Sequence, residues 1–270
     1  MNDLLIMLFF LLGLIFGSFF NVIGLRVPQN QPFANDRSVC PQCRHLLAWY
    51  ELMPVVSYIL QRGKCRHCKR KISPIYPIVE LLTGVLFAFS YADAGLNLEL
   101  VTALLLMSML VIIFVSDMTY MLIPNKIMLF FLTLFVIIRI IDPLDPWWSS
   151  IAGALAGVLI IALIILVSRG GMGAGDMKLF GLLGIILGVE KTLLTLFLSS
   201  MIGAVIGLVL LLLKIIDRKQ PVPFGPYIVL AAVTTYFQGD VLLSWYFNDL
   251  MSISEGFLIV SSVSPVFIID

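Results

Sequence analysis

The chain is short of charge. Of its 270 residues only 12% are Asp, Glu, Lys or Arg, and the formal net charge is +1. An overall basic excess of the kind that draws a protein to nucleic acid is absent, so no nucleic-acid partner is expected. There is no internal repeat and no low-complexity tract. The N-terminus lacks a basic n-region, since Asp3 precedes the first apolar run. That run is therefore expected to stay as a permanent membrane helix, not to leave as a cleaved signal. What fills the space left by charge is apolar. Hydrophobic residues make up 60% of the chain and the mean hydropathy is +1.06. This composition belongs to a polytopic membrane protein and excludes an ordinary soluble domain.

Leu4–Leu25 is long enough to span a hydrocarbon core of ~30 Å. Further apolar runs follow at Ile75–Ala92, Leu98–Val115, Ile127–Ile141, Ile151–Val167, Met177–Val189, Thr192–Leu213 and Tyr227–Tyr246. They predict an all-α polytopic membrane protein of about eight transmembrane helices. Gly153/Gly157, Gly184/Gly188 and Gly203/Gly207 are small-xxx-small pairs of the kind that let helices approach closely. The domain reading is residues 1–26 as the first membrane helix, 27–74 as a loop domain and 75–247 as a seven-helix membrane domain. The tail, 248–270, is unassigned.

The scarce charge is unevenly placed. Nine of the 17 Lys and Arg residues fall between Arg26 and Lys71. By the positive-inside rule the loop Val27–Ser73 is cytoplasmic and the N-terminus outside. Alternation then puts the acidic linkers near Asp93–Asn97 and Asp142–Trp148 outside. The basic linkers Arg169–Lys178 and Asp217–Lys219 fall inside. Glu190-Lys191 is an ambiguous turn. Trp147 and Trp148 sit where an aromatic belt belongs.

The same basic loop holds all four cysteines, as Cys40-x-x-Cys43 and Cys65-x-x-Cys68. Two such knuckles offer four thiolates to a tetrahedral Zn²⁺, which leaves no open position and makes the site structural. Arg44, Arg66, Lys64 and Lys69 would offset its negative charge. Disulfides are the alternative, and a reducing cytoplasm disfavours them. His45 and His67, beside the knuckles, read as surface residues.

Two acids stand at the ends of apolar runs. Asp176 lies in Gly173-Ala174-Gly175-Asp176-Met177-Lys178, and Asp117 follows Leu100–Val115. A carboxylate at such a place is expensive and marks a functional site. On the topology above both emerge at the cytoplasmic face. Two carboxylates sharing a proton activate water, one as base and the other polarising a carbonyl. The plainer reading makes each a helix cap in interfacial water. Glu80, inside the second apolar helix, needs a partner such as an Arg of the basic loop; a structural and a cofactor-binding role are both open. Lys178 either acts on Asp176 or reaches lipid headgroups. Pro124-Asn125 and Pro223-Phe224-Gly225-Pro226 mark turns at helix entries.

These residues resemble a known family, the type IV prepilin peptidases, which are bifunctional leader peptidase/N-methyltransferases of bacterial plasma membranes. The resemblance runs through Gly17–Val22 with Arg26-Val27-Pro28, Cys40-Pro41-Gln42-Cys43, Leu52–Tyr58 and Arg62–Cys68. It continues through Tyr76–Leu81, Asp117 with Ile123-Pro124-Asn125, Gly173–Leu179 and Phe224-Gly225-Pro226. It implies catalysis by Asp117 and Asp176; Gly173, Gly175, Lys178 and Glu80 are read from their positions as supporting residues. It also implies zinc on Cys40, Cys43, Cys65 and Cys68. The implied activity is cleavage of prepilin or pseudopilin leaders after a glycine at the cytoplasmic side, followed by methylation from S-adenosylmethionine. No Rossmann-type glycine fingerprint marks a site for that donor. A metal-stabilised membrane scaffold or transporter without protease activity is the competing reading. Transporters place polar groups near the bilayer midplane, whereas these acids sit at one face.

Overall fold

The computed structural model describes residues 2–32, 38–40, 42–168, 172–217 and 222–250. The tail from residue 251 and part of the Arg169–Lys178 linker lie outside them. Eight helices follow one another: α1 (Asn2–Arg26), α2 (Val56–Leu60), α3 (Ile75–Ala94), α4 (Leu98–Tyr120), α5 (Asn125–Ile141), α6 (Ser149–Val167), α7 (Ala174–Leu212) and α8 (Gly225–Ser244). Among the described residues there is no strand, only two isolated bridges in the cysteine loop, Val39 with Leu46 and Lys64 with Lys71.

Among the described residues six helices are long and apolar enough to cross a membrane, against the eight expected from the apolar runs. The difference lies in two places. One is α5, with 17 residues, about 26 Å at ~1.5 Å per residue. The other is α7, in which the runs Met177–Val189 and Thr192–Leu213 are joined. Their junction is Gly188, at φ 76° and ψ 179°, inside an otherwise helical stretch.

The contacts on either side of Gly188 run in opposite directions. Before it, α7 climbs along α6 in reverse. A Cβ on Gly157 would meet the Phe180 carbonyl, one on Gly153 the Gly184 carbonyl, and one on Gly188 the Ser149 hydroxyl. After it, Lys191 pairs with Asp240 at 2.8 Å. Gly203 then approaches Phe224 and Tyr227, at the start of α8. The chain therefore turns back at Gly188. A left-handed φ with no room for a Cβ explains why glycine stands there. Arg139, at the end of α5, donates to the Ile186 carbonyl just before the turn. The bond ties the end of α5 to the turn.

Close backbone contact organises two helix pairs. Gly153 and Gly157 on α6 meet Gly184 and Phe180 on α7, as two of the small-xxx-small pairs predict. Gly13 and Gly17 on α1 meet Thr83, Gly84 and Glu80 on α3. Gly207, by contrast, has open space around it. The α6 helix is buried only along Ser150, Gly153, Gly157 and Ile161. Its other faces expose leucine and isoleucine, which suits lipid and not water. The molecule is a membrane protein.

At the centre is α4. It packs against α1, α3, α5 and α8, and Leu106, Met107, Met109, Leu110 and Ile113 have no exposed surface. Asn97 caps it, accepting the Leu100 N–H at 3.0 Å. The helix continues past Val115 to Tyr120, so Asp117 lies in its last turn, not in a linker. Met121 closes it in a left-handed conformation, donating its N–H to the Asp117 carbonyl at 2.9 Å.

Candidate active site and metal centre

Two aspartates from distant parts of the chain meet at one end of this bundle. Asp117 ends α4, and its Oδ2 accepts the Gly225 N–H at 2.8 Å. That amide is at the first residue of α8, where N–H groups have no helical partner and favour an anion. Gly225 has no choice of side chain. A Cβ there would lie 2.6 Å from the very oxygen it holds. Pro226 follows, a residue suited to a first helical turn because it gives up no bonded N–H.

Asp176 lies in the first turn of α7. Its Oδ2 accepts the Gly173 N–H at 3.1 Å. It thus reaches back to cap its own helix, as the acid of a capping box does. The structure places Asp176 inside the helix start, not in a loop before it. Gly175 packs against Ile123, just beyond α4, and brings the two helix ends together. The carboxylates are near enough to interact electrostatically. Asp117 and Asp176 keep 5% and 7% of their surface exposed, so both are shielded yet reachable by water. The Lys178 ammonium bonds to Asn125 Oδ1 at 2.8 Å. It therefore ties α7 to the start of α5 and makes no ion pair with Asp176.

Among the described residues, no arginine pairs with Glu80. Its Oε2 accepts the Val55 N–H at 2.7 Å. Val55 sits at φ 59° and ψ −50°, and Val56 N–H returns to the Pro54 carbonyl at 2.5 Å. This is a γ-turn of the rarer hand, strained for a β-branched residue. Glu80 thus latches the cysteine loop onto α3 through Oε2. Beside it Asn21, on α1, donates to the Gly17 and Tyr76 carbonyls.

The cysteine loop is built as two matching knuckles. Arg44 N–H donates to the Cys40 carbonyl and Lys69 N–H to the Cys65 carbonyl, at 2.9 and 3.0 Å. Cys40 and Cys65 N–H in turn donate to the His45 and Arg70 carbonyls. Arg44 and Lys69 both take positive φ, 57° and 59°, so the basic residue after each knuckle also closes its turn. No disulfide joins the four thiols. Their sulfurs all lie within 4.8 Å of one another, and Cys40 and Cys68 are 3.9 Å apart. Tetrahedral Zn–S bonds of ~2.3 Å put sulfurs about 3.8 Å apart, so the donor set fits such an ion. N–H groups of Cys43 and Gln42 bring the Cys40 thiol down to about 7. For Cys43 the His45 N–H pulls down, but burial and the neighbouring thiols prevail and raise it to about 11. A metal held by the four sulfurs would override that crowding by taking up the thiolate charge. The rings of His45 and His67 lie 4.9 Å apart, and His45 approaches Glu51 at 3.9 Å.

Sequence reading passed over several of these residues. Gly225 reads as a turn former, and nothing near it in sequence points to Asp117. Arg139 is a lone cation in an apolar run, a signal that went unused. Gly13 and Gly17 carry the same spacing as the pairs singled out in the second half.

Fold and site together define a class: a polytopic helical membrane protein with a shielded aspartate pair at one end and a four-cysteine metal-type loop. Two family models match the chain. Residues 11–94 match the bacterial peptidase A24 N-terminal domain, and residues 104–208 match the type IV leader peptidase family. A prepilin leader peptidase/N-methyltransferase of Bacillus subtilis (strain 168) is 41% identical, over 88% of this chain and 96% of its own length. Proteins of the same description from Stutzerimonas stutzeri and Aeromonas salmonicida (strain A449) are 35% and 32% identical. They cover 87% and 90% of this chain and 91% and 94% of their own lengths. No solved structure matches. The chain belongs to the type IV leader peptidase family.

Proposed function

We propose that this protein is an aspartic endopeptidase of the bacterial plasma membrane. It removes the leader of prepilin-like proteins just after a glycine and methylates the new N-terminus. The observation that carries the reading is the pairing of Asp117 and Asp176, each held through Oδ2 by a backbone N–H at a helix start. With Oδ2 of each acid anchored, Oδ1 of each is left for substrate and water. One carboxylate takes a proton from water; the other, protonated, donates to the scissile carbonyl. Gly173 and Gly175 allow the close approach, and Lys178 braces the α7 start through Asn125.

The topology proposed with this activity has the N-terminus outside and the basic loop inside, which makes the aspartate end cytoplasmic. Cys40, Cys43, Cys65 and Cys68 hold zinc, whose part is to fold the loop. S-adenosylmethionine is the methyl donor. Glu80 supports the site from α3, holding the Val55 N–H through Oε2.

The test is co-expression with a candidate prepilin, followed by N-terminal sequencing and mass measurement of the product. The expected product begins immediately after the glycine and carries one extra methyl group. A precursor that stays intact beside folded enzyme contradicts the peptidase reading; a cleaved product without the methyl group contradicts only the transferase.

A further inference from the structure

A groove of about 1060 Å³ opens sideways between α1, α4 and α5. It is separate from the Asp117–Asp176 pair, neither of which lines it. Its wall on α1 runs from Phe16 to Ile23 and continues past the helix end through Val27 to Pro32, and its floor on α4 runs from Val101 to Ile112. The α4 stretch alone is about 17 Å long at ~1.5 Å per residue, a little over half of a ~30 Å core. Phe16, Phe19, Phe20, Phe87, Phe130 and Phe131 line it. The one hydroxyl among its lining residues, Ser108, is spent on its own helix, bonding the Leu104 carbonyl.

Polar lining gathers at one end only. There Asn30, Gln31 and Lys126 form a mouth, and no acid is among the lining residues described. Lys126 Nζ donates to Asn30 Oδ1 at 2.9 Å, which leaves two of its three donors. Lys126 is also the second residue of α5, whose N-terminal dipole adds to its positive field.

We propose that this groove holds one anionic diacyl phospholipid, with its phosphate at Lys126 and its acyl chains against the phenylalanines. Length argues against a transmembrane helix as the occupant. A spanning helix needs about 20 residues and ~30 Å of flank, and neither wall offers that. Charge argues for an anion, since basic pockets between membrane helices take acidic headgroups.

The test is native mass spectrometry of the full chain in neutral detergent. Dioleoyl phosphatidylglycerol is compared with dioleoyl phosphatidylcholine. One phosphatidylglycerol should be retained per chain, about five-fold more readily than phosphatidylcholine. Lys126→Gln, at an exposed position, should abolish the preference, and Lys126→Arg should keep it. Equal retention of the two lipids, or a preference indifferent to Lys126→Gln, overturns the proposal. So does a photo-crosslinker at Phe130 that captures a substrate helix or a second copy of the chain in place of lipid.

Discussion

The amide N–H of Gly225 reaches Asp117 Oδ2 at 2.8 Å across 108 positions of sequence. This bond joins the end of α4 to the start of α8 and fixes one half of the aspartate pair. Because a Cβ on Gly225 would press on that carboxylate, Gly225→Ala must push it aside. A displacement near 1 Å is expected to cost on the order of 100-fold in leader cleavage. KM should change little. Gly207→Ala, on a residue with nothing nearby, should cleave normally. Steady-state kinetics on a prepilin peptide in detergent measures both.

The α6–α7 pair makes a prediction about stability. Gly184→Val introduces atoms where the Gly153 backbone already lies, since even a Cβ would sit 2.2 Å from its carbonyl carbon. Overpacking of this kind typically costs ~1–3 kcal/mol, and direct backbone contact favours the upper end. Thermal unfolding in detergent should show the loss, with Gly207→Val as the control.

Removal of the loop metal should act on folding before it acts on chemistry. Cys43→Ser or Cys68→Ser should release about one equivalent of metal per chain, read by elemental analysis. The loop from Val39 to Lys71 should then become sensitive to protease, while helices α3 to α8 stay resistant. Retention of a full equivalent in both variants would speak against the four-thiol site.

Glu80 and Val55 make the fourth prediction. Glu80→Ala leaves the Val55 N–H without its acceptor and should cost ~1–3 kcal/mol of loop docking. Glu80→Gln keeps a carbonyl oxygen in place and should cost less. Hydrogen exchange at Met53–Ser57 separates the two.

Much of this architecture was legible in the amino acids. Runs such as Leu98–Val115 announce helices because lipid admits little else. The Cys-x-x-Cys pairs announce a cluster of thiols through spacing alone, and Gly173–Lys178 marks a helix start whose acid bonds its own first turn. What stayed hidden depends on contacts between distant segments. The reversal at Gly188 shows no polar break, so the charged Glu190-Lys191 drew attention two residues too late. The partner of Glu80 proved to be a strained backbone amide, which no charge pattern reveals. Lys178 chose Asn125, a neighbour only once α5 and α7 are packed. The lateral groove exists only between assembled helices.

The central claim is that the two aspartates act as a pair, and single isosteric substitutions test it most directly. Asp117→Asn and Asp176→Asn keep size and lose the titrating oxygen. Each is co-expressed with a prepilin and checked by thermal unfolding for an intact fold. Loss of leader removal in both, with unfolding temperature near that of the parent, is the predicted result. Normal processing by either folded variant would contradict the account.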